Sequence, residues 1–86
     1  KNNEVPDDIK EFVISLEADE DGLIYLPKIL VEVEIASSNG EARRLIDGGG
    51  IKINQQPHPA KTYKVEPAVL EGALLQAGKK RWAKLI

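Results

Sequence analysis

The hydrophobic pattern is clearest at the start of the central region. The apolar residues there follow the i, i+3, i+4, i+7 spacing of a helix with one buried side, and they are Leu26, Ile29, Leu30 and Val33. Pro27 is compatible with the first turn of such a helix, because the N–H that proline lacks would have no partner there. The pattern therefore predicts a helix from Leu26 to Val33.

A second helix is predicted from Ser38 to Asp47. Ser38 is a preferred N-cap residue, and Glu41 three positions later can reach back to the cap in a capping box. The apolar residues of this helix share one inward face and are Ala42, Leu45 and Ile46. The three glycines at 48–50 end the helix, because glycine adopts a positive φ without strain.

Short strands are predicted after the second helix. Ile51–Ile53 alternates like a half-buried strand, and Asn54 begins a turn. The next residue is Gln55, so the Asn-Gly pair of a tight two-residue hairpin is missing and a longer or looser hairpin is expected. A strand at 62–65, a helical turn at 68–71 and a final hairpin formed by 72–76 and 80–85 complete the pattern. We therefore predict an α+β fold with two short helices packed on a small antiparallel sheet.

The amino-terminal segment has a weaker pattern. Phe12, Ile14 and Leu16 alternate with more polar positions, which is compatible with an extended segment on the core or with a solvated linker. The linker is the favoured interpretation. The predicted organisation is an acidic linker or extended segment at 1–23, followed by one folded domain at 24–86.

Charge is divided unevenly along the 86 residues. The formal net charge is −2, but residues 1–21 hold eight acidic and two basic residues, whereas residues 43–86 hold nine basic and three acidic ones. A polyanion responds to the local field more than to the total charge, so the carboxy-terminal half could bind nucleic acid. The chain has no cysteine and no apolar run that could span a bilayer, and a cytoplasmic location is expected. Because it begins without Met, we expect a piece of a longer protein.

The second helix and the strand after it bring cations close together. Arg43 and Arg44 lie off the apolar face of the helix, and Lys52 lies on the adjoining strand, so we expect them to form one face. An arginine guanidinium can bind a phosphate through two hydrogen bonds. Trp82, the one tryptophan, is either a core residue or a ring that stacks on RNA. A solvated charged surface is the alternative to an RNA-binding site.

The same stretch carries a family resemblance. Residues Ser37–Ile46 and Gly49–Asn54 resemble the signature of the ribosomal-protein-S-four-type RNA-binding domain. Leu30–Glu32 and Leu74–Trp82 are similar to the version found at the carboxy terminus of bacterial-type tyrosyl-tRNA synthetases. The sequence departs from the usual family pattern at Glu34, where glycine is common, which predicts a strained connection or a different cap.

The resemblance implies a tRNA-binding role. Such a domain binds tyrosine tRNA at the anticodon stem and the long variable arm. It positions the tRNA for a catalytic domain elsewhere in the longer parent protein, and the resemblance implies that this parent is a homodimer. The implied phosphate ligands are Arg43, Arg44, Lys52, Lys79, Lys80 and Arg81, and the residues that shape the fit are Ser37, Ser38, Asn54 and Trp82. No cofactor is expected in this domain, since ATP and tyrosine would bind the parent's catalytic domain. We expect the fragment itself to be a monomer without membrane contacts.

No pattern in the sequence supports catalysis or metal binding. His58 is the one histidine and has no partner cluster, and the glycines at 48–50 are not followed by the Lys-Ser/Thr of a phosphate loop. Two alternatives stay open. The chain could be the same module from a ribosomal protein or a pseudouridine synthase, or a protein-interaction module that docks a basic partner through its acidic segment.

Overall fold

A computed structural model of the chain describes residues 9–78 and 81–86. These residues form an α+β fold, as predicted. In chain order its elements are β1 (Glu11–Phe12), β2 (Ile24–Tyr25), α1 (Leu26–Glu32), α2 (Asn39–Asp47), β3 (Ile51–Ile53), β4 (Gln56–Pro57), β5 (Lys64–Val65), α3 (Pro67–Leu70), β6 (Leu74–Ala77) and β7 (Arg81–Leu85). None of the helices in this part of the chain has the length and apolar character needed to cross a membrane.

The main sheet has five strands in the order β1-β7-β6-β3-β4. Three of its pairs are antiparallel, as predicted, but β1 runs parallel to β7, so the sheet is mixed. The predicted strand at 62–65 is present in part as β5, which pairs with β2 in a separate two-stranded sheet. The closing hairpin is confirmed by the β6–β7 pairs, among them Leu75 opposite Ala83.

The core lies between the helices and one face of the main sheet. Helix α1 contributes Leu26 and Leu30, and helix α2 contributes Ala42 and Ile46, all of which are fully buried. The sheet contributes Ile51, Leu75 and Leu85 from alternate positions of its strands to the same cluster. Because side chains alternate across a strand, the residues between these positions point to the outer face of the sheet.

The start of helix α2 follows the predicted cap with one difference. The Ser38 hydroxyl accepts a hydrogen bond from the Glu41 backbone N–H at 3.1 Å, which satisfies one of the free donors of the first turn. The Glu41 carboxylate, however, accepts from the backbone N–H of Ser37 at 2.6 Å instead of from Ser38. The return hydrogen bond of the capping box is therefore made with Ser37, the residue before the N-cap, and not with the N-cap residue itself.

Glu34 ends helix α1 in a left-handed conformation. Its φ is 65°, and its N–H donates to the Val31 carbonyl while the Ile35 N–H donates to the Leu30 carbonyl. These two bonds form a Schellman motif, whose left-handed position normally holds glycine. The strained connection expected here is confirmed, because a residue with a Cβ in this conformation loses about 1–2 kcal/mol relative to the right-handed one.

The hairpin after β3 is tighter than the sequence predicts. Ile53 pairs with Gln56, so only Asn54 and Gln55 form the turn, with φ values of 54° and 68°. Two positive φ values are characteristic of a type I′ turn. The expectation of a longer or looser hairpin was wrong, because the Asn54 side chain accepts from the Leu74 N–H at 3.0 Å and holds the turn without a glycine.

The described part of the amino-terminal segment lies on the core. Strand β1 pairs with β7, and the Ile86 N–H donates to the Phe12 carbonyl at 3.0 Å. Phe12, Ile14 and Leu16 are half-buried against the core, which explains their alternation with exposed residues. This is the extended arrangement and not the favoured solvated linker, while a domain boundary at residue 23 stays a prediction.

Candidate nucleic-acid interface

Helix α2 presents two arginines to solvent from a fixed backbone. Ala42 and Ile46 are buried on one side of the helix, so Arg43 and Arg44 are turned away from the core and are exposed. The helix is capped at its start by Ser38. The two guanidinium groups therefore leave a rigid element, which limits the entropy lost when they bind a ligand.

Arg43 is held by its neighbours. Its Nη1 donates to the Tyr25 hydroxyl at 3.0 Å, and this hydrogen bond, with the nearby Asp47 carboxylate, raises the Arg43 pKa. The Tyr63 hydroxyl donates to Asp47 at 2.7 Å, which raises the Tyr63 pKa. The two tyrosines thus orient Arg43 and Asp47, which are one helical turn apart on the same side of α2.

Arg44 has more freedom than its neighbour. Its side chain makes no hydrogen bond or ion pair with any residue in the described part of the chain. Within the same part, Lys52 and Lys84 also have no ion-pair partner. Lys64 is different, because Asp19 lies 2.7 Å and Asp21 3.6 Å from its ammonium group.

The Asp19–Lys64 contact has a consequence for both pKa values. The hydrogen bond from Lys64 lowers the Asp19 pKa, helped by the backbone N–H groups of Leu23 and Asp21, and Asp19 raises the Lys64 pKa. Both groups stay charged at neutral pH. Part of the acidic segment therefore neutralises one of the cations that composition would assign to a basic surface.

Three predicted site residues meet at the start of helix α2. The Ser37 hydroxyl donates to the Glu41 carboxylate at 2.8 Å, and the Ser38 hydroxyl caps the helix. Arg81 donates from Nη1 to the Ile35 carbonyl at 2.9 Å and lies 3.6 Å from Glu41. The Ser37 hydrogen bonds, and then the Arg81 charge, lower the Glu41 pKa. All three residues therefore already have partners within the chain.

The other predicted residues lie on the sheet. Lys52 is opposite Gln76, and Gln76 is opposite Trp82, so these three form a row across β3, β6 and β7 on the outer face. Trp82 is half-buried and lies outside the core cluster. Asn54 uses its side chain in the hairpin turn. Lys79 and Lys80 lie outside the described residues.

The structure thus separates residues that were expected to share one face. Arg43 and Arg44 lie on the helix side of the sheet, whereas Lys52 points to the outer side. Sequence reasoning missed Tyr25 and Tyr63, which contact residues 16 to 18 positions away in the chain. No local pattern links residues over such distances. No group of three or more potential ligands is placed to hold a metal ion within 9–78 and 81–86.

Comparison with known proteins gives the family of this chain. Residues 4–85 match the family described as the tyrosine–tRNA ligase SYY-like C-terminal domain. The chain belongs to this family. The predicted resemblance is therefore confirmed, and the match extends into the amino-terminal segment, which includes strand β1.

The chain is also similar to tyrosine–tRNA ligases of several organisms. A tyrosine–tRNA ligase of Moorella thermoacetica is 36% identical over 85 residues, which is 99% of this chain and 19% of that protein. The values for Syntrophotalea carbinolica are the same. A tyrosine–tRNA ligase of Caulobacter sp. is 42% identical over 60 residues, which is 67% of this chain and 14% of that protein. The chain spans about a fifth of the length of most of these relatives.

Proposed function

We propose that this domain binds structured RNA through the exposed side of helix α2, and that its RNA is tyrosine tRNA. The observation that carries this proposal is the pair Arg43 and Arg44. One guanidinium is oriented by Tyr25, and the other is free of carboxylate partners in the described part of the chain, on a helix fixed to the core. The family of the chain, whose members are parts of tyrosine–tRNA ligases, supports the identity of the RNA.

The binding mechanism is electrostatic and geometric. Each guanidinium can donate two parallel hydrogen bonds to a phosphate, and each phosphate that is neutralised releases counterions. Contacts to phosphates fix the position of the RNA but carry no base sequence. Selectivity therefore comes from the shape of the folded tRNA, and we propose that the anticodon stem and the long variable arm supply that shape.

The outer face of the sheet supplies a second and weaker contact in this proposal. Lys52 is exposed there, and the half-buried Trp82 lies in the same cross-strand row. Lys79 and Lys80 precede β7 in the sequence, and we propose that their charges also contribute to RNA binding. A tRNA that reaches around one edge of the domain would touch both surfaces.

The chemistry of aminoacylation is assigned to the rest of a parent protein. This domain would hold tRNA so that its acceptor end reaches a catalytic domain, which binds ATP and tyrosine. We propose that the parent is a homodimer and that the isolated chain is a monomer. The role of the domain is then to increase the affinity of the parent protein for tRNA and to place the tRNA correctly.

Footprinting of the 86-residue chain on tRNA tests the proposal. We expect protection of the anticodon stem and variable arm of tyrosine tRNA, and weaker protection of a tRNA with a short variable arm. If about four phosphates are bound, the logarithm of the affinity should fall with the logarithm of the salt concentration with a slope of about −3 to −4. Equal protection of both tRNAs would contradict the proposed selectivity.

Amide chemical shifts locate the binding surface independently. On addition of tRNA, the shifted residues should cluster in helix α2 and its flanking loops. Shifts confined to residues 1–21 would instead favour a protein-docking role for the acidic segment. In that case, replacing Asp19, Glu20 and Asp21 by neutral residues would abolish partner binding.

A further inference from the structure

Arg81, the first residue of β7, ties together parts of the chain that are distant in sequence. Its Nη1 donates to the carbonyl of Ile35, 46 positions away, at 2.9 Å and lies 3.6 Å from a carboxylate oxygen of Glu41. The other carboxylate oxygen of Glu41 accepts from the backbone N–H and the hydroxyl of Ser37 at 2.6 and 2.8 Å. Strand β7, the α1–α2 loop and the first turn of α2 therefore meet at one point.

The loop fixed by these contacts contains the strained end of helix α1. Glu34 holds a φ of 65°, a conformation that a residue with a side chain keeps only where its surroundings hold it. The next residue, Ile35, is buried, and Arg81 provides a charged donor to its carbonyl. A hydrogen bond from a charged group is among the stronger ones that a protein makes. The contact is thus well placed to set the loop, and with it the position of helix α2.

The same surroundings make Arg81 a poor phosphate ligand. A phosphate that approached Arg81 from the Ser37 side would meet the Glu41 carboxylate, which the Ser37 hydrogen bonds keep ionised by lowering its pKa. Two negative charges at contact distance repel each other, so Glu41 disfavours a phosphate at this position. Arg44 has no such neighbour in the described part of the chain.

We propose that Arg81 is a positioning residue for RNA binding, which fixes the start of helix α2 through Ile35 and Glu41 and holds no phosphate itself. The proposal rests on the RNA-binding function proposed above. It gives different roles to Arg44 and Arg81, both of which are predicted from the sequence to be phosphate ligands. Arg44 binds a phosphate of the RNA in the complex. Arg81 fixes the start of helix α2 before the RNA binds.

The salt dependence of tRNA binding separates the two tasks. We compare Arg81→Gln with the matched control Arg44→Gln in the 86-residue chain. Loss of a phosphate ligand lowers the salt slope by about one, so Arg44→Gln should reduce the magnitude of the slope by that amount. Arg81→Gln should weaken binding by about fivefold at every salt concentration while the slope is unchanged. A reduction of the slope by Arg81→Gln equal to that of Arg44→Gln would overturn the proposal.

A measurement without RNA tests the positioning role of Arg81 separately from the RNA-binding function. In the absence of tRNA, Arg81→Gln should shift the Ser37 amide resonance and speed its hydrogen exchange, because Glu41 is no longer held from β7. Arg44→Gln should leave that amide unchanged. An unmoved Ser37 amide in Arg81→Gln refutes the positioning role, whereas a shifted amide in a chain that binds no tRNA refutes the RNA-binding function alone.

Discussion

The two exposed surfaces of this domain carry similar charges but are built differently. On the helix side, Arg43 is oriented by Tyr25, and the start of α2 is tied to β7 through Arg81 and Glu41. On the outer face of the sheet, Lys52 extends from a three-residue strand without an ion-pair partner in the described residues. The difference shows that position along the chain does not predict how firmly a cation is held, and a firmly held cation loses less entropy on binding.

Reversing the charges on the helix side is expected to have the largest effect. The change Arg43→Glu with Arg44→Glu replaces two phosphate ligands by two repulsive groups, so tRNA affinity should fall by more than about 100-fold. Titration of labelled tRNA measures the loss, and circular dichroism checks that the variant is folded. Affinity equal to that of the unchanged chain would exclude this surface as the binding site.

A matched double substitution on the sheet tests how much the outer face contributes to tRNA binding. Lys52→Glu with Lys84→Glu reverses the same amount of charge on the outer face, and we expect a loss of about fivefold because these contacts are secondary. The fluorescence of Trp82, the one tryptophan, should change on tRNA binding. If emission stays constant at saturating tRNA, the RNA does not reach the outer face. A loss as large as that on the helix side would reverse the ranking of the two surfaces.

Replacing Glu34 by glycine should stabilise the helix side. Glycine removes the strain of the positive φ, so the free energy of unfolding should rise by about 0.5–1 kcal/mol. The ion pair with Lys10 that is lost joins two largely exposed groups 3.6 Å apart and contributes little. Urea denaturation measures the change.

The control for this change is Glu32→Gly at the last residue of α1. The same substitution in a right-handed conformation should lower the free energy of unfolding by about 0.5–1 kcal/mol. If both substitutions destabilise the chain equally, the left-handed conformation of residue 34 is not a source of strain.

The smallest expected effect is on the pH dependence of stability. The folded-state pKa values of Asp19 and Glu41 are lowered from 3.8 and 4.5, so their stabilising contribution is complete above these values and is lost as the pH falls through the lowered ones. Thermal unfolding between pH 7 and pH 3 should show this decrease. Asp19→Asn should make it smaller, and Glu20→Gln, next in the loop, should not.

Local features of the fold were predictable because their causes lie close together in the sequence. The spacing of Leu26, Ile29 and Leu30 gave helix α1, and Ser38 with the following glycines gave both ends of α2. The tight turn at Asn54 was missed because its support comes from Leu74, 20 positions away. The pairing of β1 was missed for the same reason, because its partner strand β7 lies at the other end of the chain and no local pattern identifies it.

The candidate site shows the same division. Helical spacing identified Arg43 and Arg44 as exposed cations, and strand alternation identified Lys52. The resemblance to the carboxy-terminal domain of bacterial-type tyrosyl-tRNA synthetases gave the family. Their separation onto two sides of a sheet, and the partners of Arg43 and Arg81, came only from the structure.

The sequence by itself determined which residues form helices and turns, which side of each is apolar, and where positive charge is concentrated. These properties depend on interactions within about one or two helical turns, which the order of residues specifies directly. Tertiary structure alone decided which cations are held, which are free and which are neutralised. Those outcomes depend on contacts between Tyr25 and Arg43, or Ile35 and Arg81, that exist only once the core has brought distant segments together.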